Sequence, residues 1–299
     1  METSIADNKI ADNKVKQIIS NIRNLPTPPI VFHQIQKVIN DPNVSANQVA
    51  GILSEDPAMS VKVLKLTNSA FYGLSREVDS VRQAVVIVGL EAIKNLVLSA
   101  SVLDMFKDKN VDQDFQEKHW RHSLATGFCC RIVARQIKDH GFIDADAAFS
   151  AGLLHDMGKM VIICFLDDER EKIRAAHKQE PGLSDFEIED KTIGFNHAQV
   201  GGFLTELWKL PQVLSDAISF HHTPFESEQE NQLCYMLNVS NYIAKKTFYV
   251  DEDEAQIGSV DQKVLGHLNI KEEKIEIISE ILKEEFLKAE TFMQMAGLT

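Results

Sequence analysis

Apolar residues recur every three to four positions along most of this chain, which is the spacing of amphipathic helices. Val31, Ile35, Val38 and Ile39 form one such stripe. Strict alternation of apolar and polar residues, the signal of a half-buried strand, is nearly absent, and 247–250 is the one short candidate. The pattern therefore predicts an all-α protein.

Small polar residues, prolines and glycines mark where the predicted helices begin and end. A side-chain oxygen just before a helix accepts a hydrogen bond from a free backbone N–H, and proline suits the first turn. On this basis we expect N-caps at Thr27, Ser45, Asp56 and Ser80, and helix ends near Asn40, Gly73 and Gly89.

The same signals place the other helices and divide the chain. We expect helices over 15–23, 81–88, 115–140, 144–154, 160–165, 168–178, 184–193, 197–207, 211–220, 232–246 and 272–286. The polar segment 107–114 separates two helical halves. We thus expect an N-terminal tail (1–17), an N-terminal helical half (18–111), a second helical half (112–250) and an acidic C-terminal helical extension (251–299).

Composition narrows the classes of partner. The chain has 299 residues with 31 Lys and Arg against 44 Asp and Glu, and this net charge of −13 repels a phosphate backbone, so we expect no nucleic-acid partner. Its apolar runs are too short to span a membrane, and its first residues lack the apolar core of a secretion signal. Four cysteines without a CxxC pair fit buried thiols in a reducing compartment, which predicts a cytoplasmic protein without a membrane partner.

Histidines carry the candidate chemistry. Of ten in the chain, five lie in the second half with suggestive neighbours: His122, the His155-Asp156 doublet, His197 and the pair His221-His222. Imidazole and carboxylate groups hold first-row divalent ions, which make hydroxide from bound water at neutral pH, and Lys159 could steady a phosphate. On spacing alone the alternative stays open that these are ordinary core or surface histidines, because no H-E-x-x-H motif is present.

A set of longer motifs points to a known family. The second half contains HSLATG from His122, LLHDMGK up to Lys159, NHAQVGG around His197 and FHHTP around His221. The first half contains LPTPP, ILSEDPAMSVKVLKLTNSAFYG and SVRQAVVIVGLEAIKNLVL. In this order they resemble the HDOD subgroup of the HD superfamily of metal-dependent phosphohydrolases, which is related to the HD-GYP domains. The resemblance spans roughly residues 18–245.

The resemblance implies a multi-helical HD-like bundle with an N-terminal helical half, and a bacterial signal-transduction protein. It implies one or two divalent ions, with Fe, Mn and Zn equally suited by ligand type. Lys159 matches the lysine that follows the superfamily's His-Asp doublet. The implied metal ligands are His122, His155, Asp156, His197, His221, His222 and Asn241, the last standing where the superfamily has an aspartate.

Departures from the family pattern separate three hypotheses. Asn241 offers only a neutral carbonyl, Thr223 replaces a glutamate of the HD-GYP domains, and their Gly-Tyr-Pro segment is missing. We therefore predict a regulatory module that binds metal without robust turnover and acts on an unknown protein partner. In such a module, the helices over 25–98 would present the partner surface. The alternatives are a metal-dependent phosphohydrolase acting on a phosphorylated small molecule, and a purely structural adaptor with an empty, vestigial pocket. Whether the chain is an enzyme stays open.

Overall fold

Helices make up the regular structure of this protein. The computed structural model describes residues 14–106, 109, 111–137, 143–227, 231–249 and 257–297, and within these ranges it contains no strand. The all-α prediction is confirmed. The tandem repeat at 5–14 lies almost entirely outside the described residues, as do the acidic residues 251–254.

The described residues of the N-terminal half form six helices, and side-chain caps set the starts of three of them. The six helices are α1 (14–20), α2 (Ile30–Ile39), α3 (Ala46–Ser54), α4 (Pro57–Thr67), α5 (Val81–Val88) and α6 (Leu90–Met105). The side chains of Ser45, Asp56 and Ser80 accept hydrogen bonds from the third backbone N–H that follows each of them. These are three of the four predicted N-caps.

Two predicted boundaries in this half are wrong. Thr27 caps nothing, because α2 begins after the extended Pro29; Thr27 and Pro28 each precede a proline, which disfavours the helical conformation. Helix α4 ends at Thr67 rather than near Gly73. The side-chain amide of Asn68 exchanges two hydrogen bonds of 2.7 Å with the backbone of Val78 and so turns the chain away from the helix axis.

The second half is arranged around one long central helix. Its elements are α7 (Gln113–Gln136), α8 (Ala145–Leu154), α9 (Met157–Phe165), α10 (Asp167–Gln179), α11 (Asp185–Ile193), α12 (His197–Leu207), α13 (Gln212–Ser219) and α14 (Gln232–Phe248). Helix α7 packs against α8 and α14, and α12 packs against α9 and α13. The predicted strand at 247–250 is wrong, because Thr247 and Phe248 continue α14.

Within the described residues 258–297, three α-helices together contact both halves. They are α15 (Gln262–His267), α16 (Glu272–Phe286) and α17 (Glu290–Ala296). Helix α16 lies against α7 and α14, while α17 lies against α4, α6 and α7. Phe292 of α17 is fully buried beside Phe71, Phe128 and Phe149. One apolar core therefore runs through the described parts of both halves. The boundary near residue 112 stays a prediction.

The most apolar stretch of the described chain is mostly buried inside the protein. Residues Ala145–Phe165 are long and apolar enough to cross a membrane, but 78% of the most apolar window is buried inside the protein, as in the core helix of a soluble protein. A second apolar pair, α5 and α6, is bent by 118° at Gly89.

The thiols of Cys129, Cys130 and Cys234 are free and buried, and burial raises their pKa values, which makes them poor nucleophiles.

Candidate metal centre

Four parts of the second half meet at one point. They bring together His122 from α7, His155 and Asp156 from the corner between α8 and α9, His197 from the first turn of α12, and His221 and His222 from the turn after α13. All of these except the half-buried His222 are at most 7% exposed. The fold thus gathers the six histidine and aspartate residues that the sequence singled out.

Glycines allow the helices to approach closely enough. A Cβ atom on Gly152 would lie 2.5 Å from the Cα of Gly127, so α8 and α7 touch backbone to backbone. A Cβ atom on Gly158 would lie 1.9 Å from the carbonyl oxygen of His197, so α9 meets α12 in the same way. These two contacts set the His155-Asp156 corner between α7 and α12.

Asp156 is the centre of the cluster. Its Oδ2 lies 3.5 Å from His155 Nε2 and 3.7 Å from His122 Nε2. Its Oδ1 lies 3.2 Å from His197 Nε2 and 3.8 Å from His221 Nε2. One carboxylate therefore faces two groups of histidines, one with each oxygen.

Backbone and carboxylate partners fix which ring nitrogen faces inward. His155 Nδ1 donates to the carbonyl of Gly152 at 2.7 Å, and His221 Nδ1 donates to that of Ile218 at 2.8 Å. A carbonyl only accepts, so each Nδ1 carries a hydrogen, and when the ring is neutral Nε2 keeps its lone pair. These two lone pairs then point toward a carboxylate, which is itself an acceptor, and such an arrangement calls for a cation between them.

Unpartnered buried atoms show that a divalent metal fits here. Nε2 of His122, His155 and His221 and Oδ1 of Asp156 have no hydrogen-bond partner among the described residues. The possible ligand atoms form two sets, and within each set all the atoms lie within 4.8 Å of one another. One set comes from Asp156, His197, His221 and His222, and the other from His122, His155 and Asp156. We call them the α12 cluster and the α7 cluster. The shared Asp156 could bridge two ions.

Comparison with known proteins gives the family. Residues 25–224 match the HDOD domain. This chain belongs to the HDOD domain family. Among curated proteins, an uncharacterized protein of Treponema pallidum is 25% identical over 279 residues, which are 92% of this chain and 52% of that protein. The HDOD chain thus spans about half the length of the curated relative that it matches.

Solved structures share the fold of the HDOD chain. An HDOD domain protein of unknown function from Geobacter sulfurreducens has a TM-score of 0.77 at 23% identity, over 95% of this chain and 99% of its own. A candidate phosphohydrolase from Shewanella amazonensis has a TM-score of 0.70 at 24% identity, over 94% and 98%. A candidate signal transduction protein from Marinobacter aquaeolei has a TM-score of 0.76 at 21% identity, over 98% and 66%.

Burial keeps most of the histidines of this HDOD site neutral. Burial lowers the pKa of His155 to about 4 and holds the pKa values of His122, His221 and His222 well below the ordinary value. Burial also acts on His197, but Glu189 and Asp156 raise its pKa to about 9. Neutral imidazoles beside a carboxylate are in the state that metal binding requires.

Lys159 is held by two carboxylates in the HDOD site. Its Nζ lies 3.0 Å from Asp156 Oδ2 and 2.9 Å from Asp185 Oδ2. Burial alone would lower the pKa of Lys159, but the two carboxylates outweigh burial, and the pKa lies above its usual range. His177, at the surface, lies 3.2 Å from the other oxygen of Asp185. The ammonium of Lys159 is therefore positively charged, and its charge is already paired with two carboxylates.

Asn241 lies on α14 and is buried, and its Oδ1 has no hydrogen-bond partner among the described residues. One turn before it, Asn238 donates from Nδ2 to the carbonyl of His221 at 2.7 Å, so this face of α14 is turned toward the site. The roles of Asn241, of Lys159 and of the histidine ligands remain predictions.

Three further residues at the site escaped the sequence analysis. Glu189 and Asp185 on α11 contact His197 and Lys159, and the ring of Tyr249 lies 5.8 Å from that of His122. The four-residue spacing of Asp185 and Glu189, on one face of a helix, was the only local signal. No pattern in the sequence predicts the contact between Tyr249 and His122 of α7.

Proposed function

We propose that this HDOD protein is a bacterial, cytoplasmic signal-transduction module whose His/Asp cluster binds one or two divalent ions, and that it lacks robust turnover. Iron, manganese and zinc all suit the ligand types. When bound, such an ion supplies charge and lowers the pKa of its water. In a regulatory module its main effect is to lock α7, α9 and α12 together around Asp156.

The pairing of Lys159 carries the proposal. In the phosphohydrolase alternative, Lys159 is the side chain that would offset the charge developing on the phosphate, in addition to any bound ion. The Lys159 ammonium already lies between Asp156 and Asp185, so moving it toward a phosphate would leave two buried carboxylates without their partner. Asn241 adds to this, because a neutral amide lowers the charge of the ligand set.

A cavity beside His222 also supports the proposal. Its volume is about 310 Å³, and it touches His222 on the outer side of the cluster. Among the described residues, the acidic Glu226 and Asp261 line this cavity and no lysine or arginine does; the other lining residues are Thr223, Pro224, Phe225, Asn238, Ser259 and Val264. Two acidic residues repel a phosphate group, so this cavity does not favour a phosphoester ligand.

The test combines metal content with turnover. We expect metal in the protein purified without a nickel column, measured by elemental mass spectrometry, and none in the double variant His155→Ala/Asp156→Ala. We expect no turnover of a panel of nucleotides and cyclic dinucleotides with added Mn²⁺, Fe²⁺ or Mg²⁺. Robust turnover that is lost in His155→Ala would overturn the regulatory proposal, and absence of metal after reconstitution would overturn metal binding.

One observation favours a second candidate, a metal-dependent phosphohydrolase. Six of the seven residues implied as ligands are histidine or aspartate, and Asp156 faces both clusters as a carboxylate that bridges two ions would. A phosphorylated small molecule would be the substrate. The substrate panel above decides between the two.

A further inference from the structure

Glu189 is a buried carboxylate that no family motif includes. It lies on α11 and is 4% exposed. A buried carboxylate is costly unless it is paired and hydrogen-bonded. Its Oε2 accepts two hydrogen bonds from one residue, from the backbone N–H of His197 at 2.7 Å and from His197 Nδ1 at 2.6 Å. Both bonds fix the first residue of α12.

These bonds orient the imidazole of His197. With Nδ1 donating to Glu189, Nε2 faces Asp156 Oδ1 at 3.2 Å and His222 Nε2 at 3.0 Å. His155 and His221 obtain the same orientation from neutral backbone carbonyls. Of these three rings, only that of His197 donates from Nδ1 to a carboxylate, which makes the ring a more basic ligand as well as orienting it.

Helix α11 is a suitable support for this carboxylate. Ser184 and Glu187 form a capping box at its start, and Ile188 is buried. One turn before Glu189, Asp185 contacts Lys159, which contacts Asp156. Two residues one turn apart on α11, Asp185 and Glu189, therefore contact the cluster through Lys159 and His197.

We propose that Glu189 is a positioning residue for an ion in the α12 cluster, and that an ion in the α7 cluster does not depend on it. The inference rests on the metal binding proposed above. Glu189 acts through His197 and lies outside the ligand set. Loss of the carboxylate frees the ring of His197 to rotate or to present the wrong nitrogen. His155 keeps its hydrogen bond to the carbonyl of Gly152, and His122 keeps its position on α7.

The experiment compares three substitutions on one helix. Glu189→Met removes both hydrogen bonds, Glu189→Gln keeps an acceptor without the charge, and Glu187→Gln is the matched control. Glu187 is exposed, and glutamine also serves in a capping box. Each metal-free protein is titrated with Zn²⁺ by calorimetry, and circular dichroism checks that each is folded.

We expect two zinc ions in the wild-type protein and in Glu187→Gln. In Glu189→Met one ion should bind about 10- to 100-fold more weakly while the other is unchanged, and Glu189→Gln should lie between. In the zinc-loaded wild type, ¹⁵N-histidine NMR should show one ring bound through Nε2 with a strongly hydrogen-bonded Nδ1–H. That signal should be lost or shifted in Glu189→Met.

The outcomes separate the two proposals. Equal zinc affinities at both positions in all folded variants would overturn the role of Glu189 and leave metal binding intact. Weakening of both ions alike would also overturn it, because it indicates a general loss of structure. No zinc binding by the wild-type protein would overturn metal binding and the inference with it. If Glu189→Met does not fold, the comparison of Glu189→Gln with Glu187→Gln decides.

Discussion

The two helical halves bury different kinds of side chain. The N-terminal half buries apolar residues and a few hydroxyl groups, such as those of Ser99 and Ser101, which donate to carbonyls of their own helix. The second half buries histidines and the carboxylates of Asp156 and Glu189, and several of these side chains have an atom without a hydrogen-bond partner among the described residues. The core of the first half is therefore mainly apolar, while the second half contains a polar centre that a bound cation would complete.

The largest expected effect tests backbone contact in the second half. Gly158→Ala places a Cβ atom 1.9 Å from the carbonyl of His197, so α9 and α12 must separate. We expect a loss on the order of 4 kcal/mol in the free energy of unfolding, together with loss of metal. Urea denaturation and elemental analysis measure these effects.

The matched control is Gly51→Ala in α3. Gly51 has no atom within 4 Å of the position of a Cβ, and alanine favours a helix over glycine by about 0.5–1 kcal/mol. This variant should be slightly more stable than the wild type. Equal losses in the two glycine variants would contradict the contrast between the halves.

A core truncation in the first half should separate stability from metal binding. Leu53 of α3 is fully buried, and Leu53→Ala should cost about 2–5 kcal/mol in the free energy of unfolding. The metal content of the folded protein should not change, since no ligand lies in this half. Loss of metal at temperatures where the variant is folded would show that the halves are coupled more tightly than we expect.

Removal of metal should act on the second half. An ion present at about 100 times its dissociation constant stabilises the folded state by about 2.7 kcal/mol, and a chelator removes this contribution. Hydrogen exchange should then speed up in α9 and α12 and stay unchanged in α3. Uniform acceleration along the described chain would argue against a local effect.

The smallest expected effect concerns the amide of α14. Asn241→Asp places a carboxylate where the family resemblance implies the last metal ligand, so metal should bind about tenfold more tightly because the charge of the ligand set rises. Without metal the same variant should be less stable than the wild type, since it adds a buried charge. Calorimetric titration measures the first effect and thermal unfolding the second.

Sequence reasoning succeeded where the signal was local. The caps at Ser45, Asp56 and Ser80 act within three residues, so the pattern alone predicts them. Thr27 shows the limit, because two prolines override a good capping residue. The end of α4 depends on a contact between Asn68 and Val78, ten residues apart, which no periodicity reports.

The sequence singled out the residues that the fold brings together and missed the residues that contact them. His122, His155, Asp156 and His197 stand in motifs that can be recognised along the chain, and the fold brings them together. Glu189 reaches His197 through an α11–α12 turn whose geometry the sequence does not specify. Side chains that orient ligands depend on tertiary packing, so they are visible only in the folded structure.

Phe292 has a consequence for how the protein can be made. It contacts Phe71, more than two hundred residues earlier in the chain, and closes the core between α4, α6 and α7. During synthesis the first half emerges from the ribosome long before α17 exists to cover it, so its apolar face must wait exposed or be shielded by a chaperone. A fragment cut to the matched region 25–224 would remain in that unfinished state.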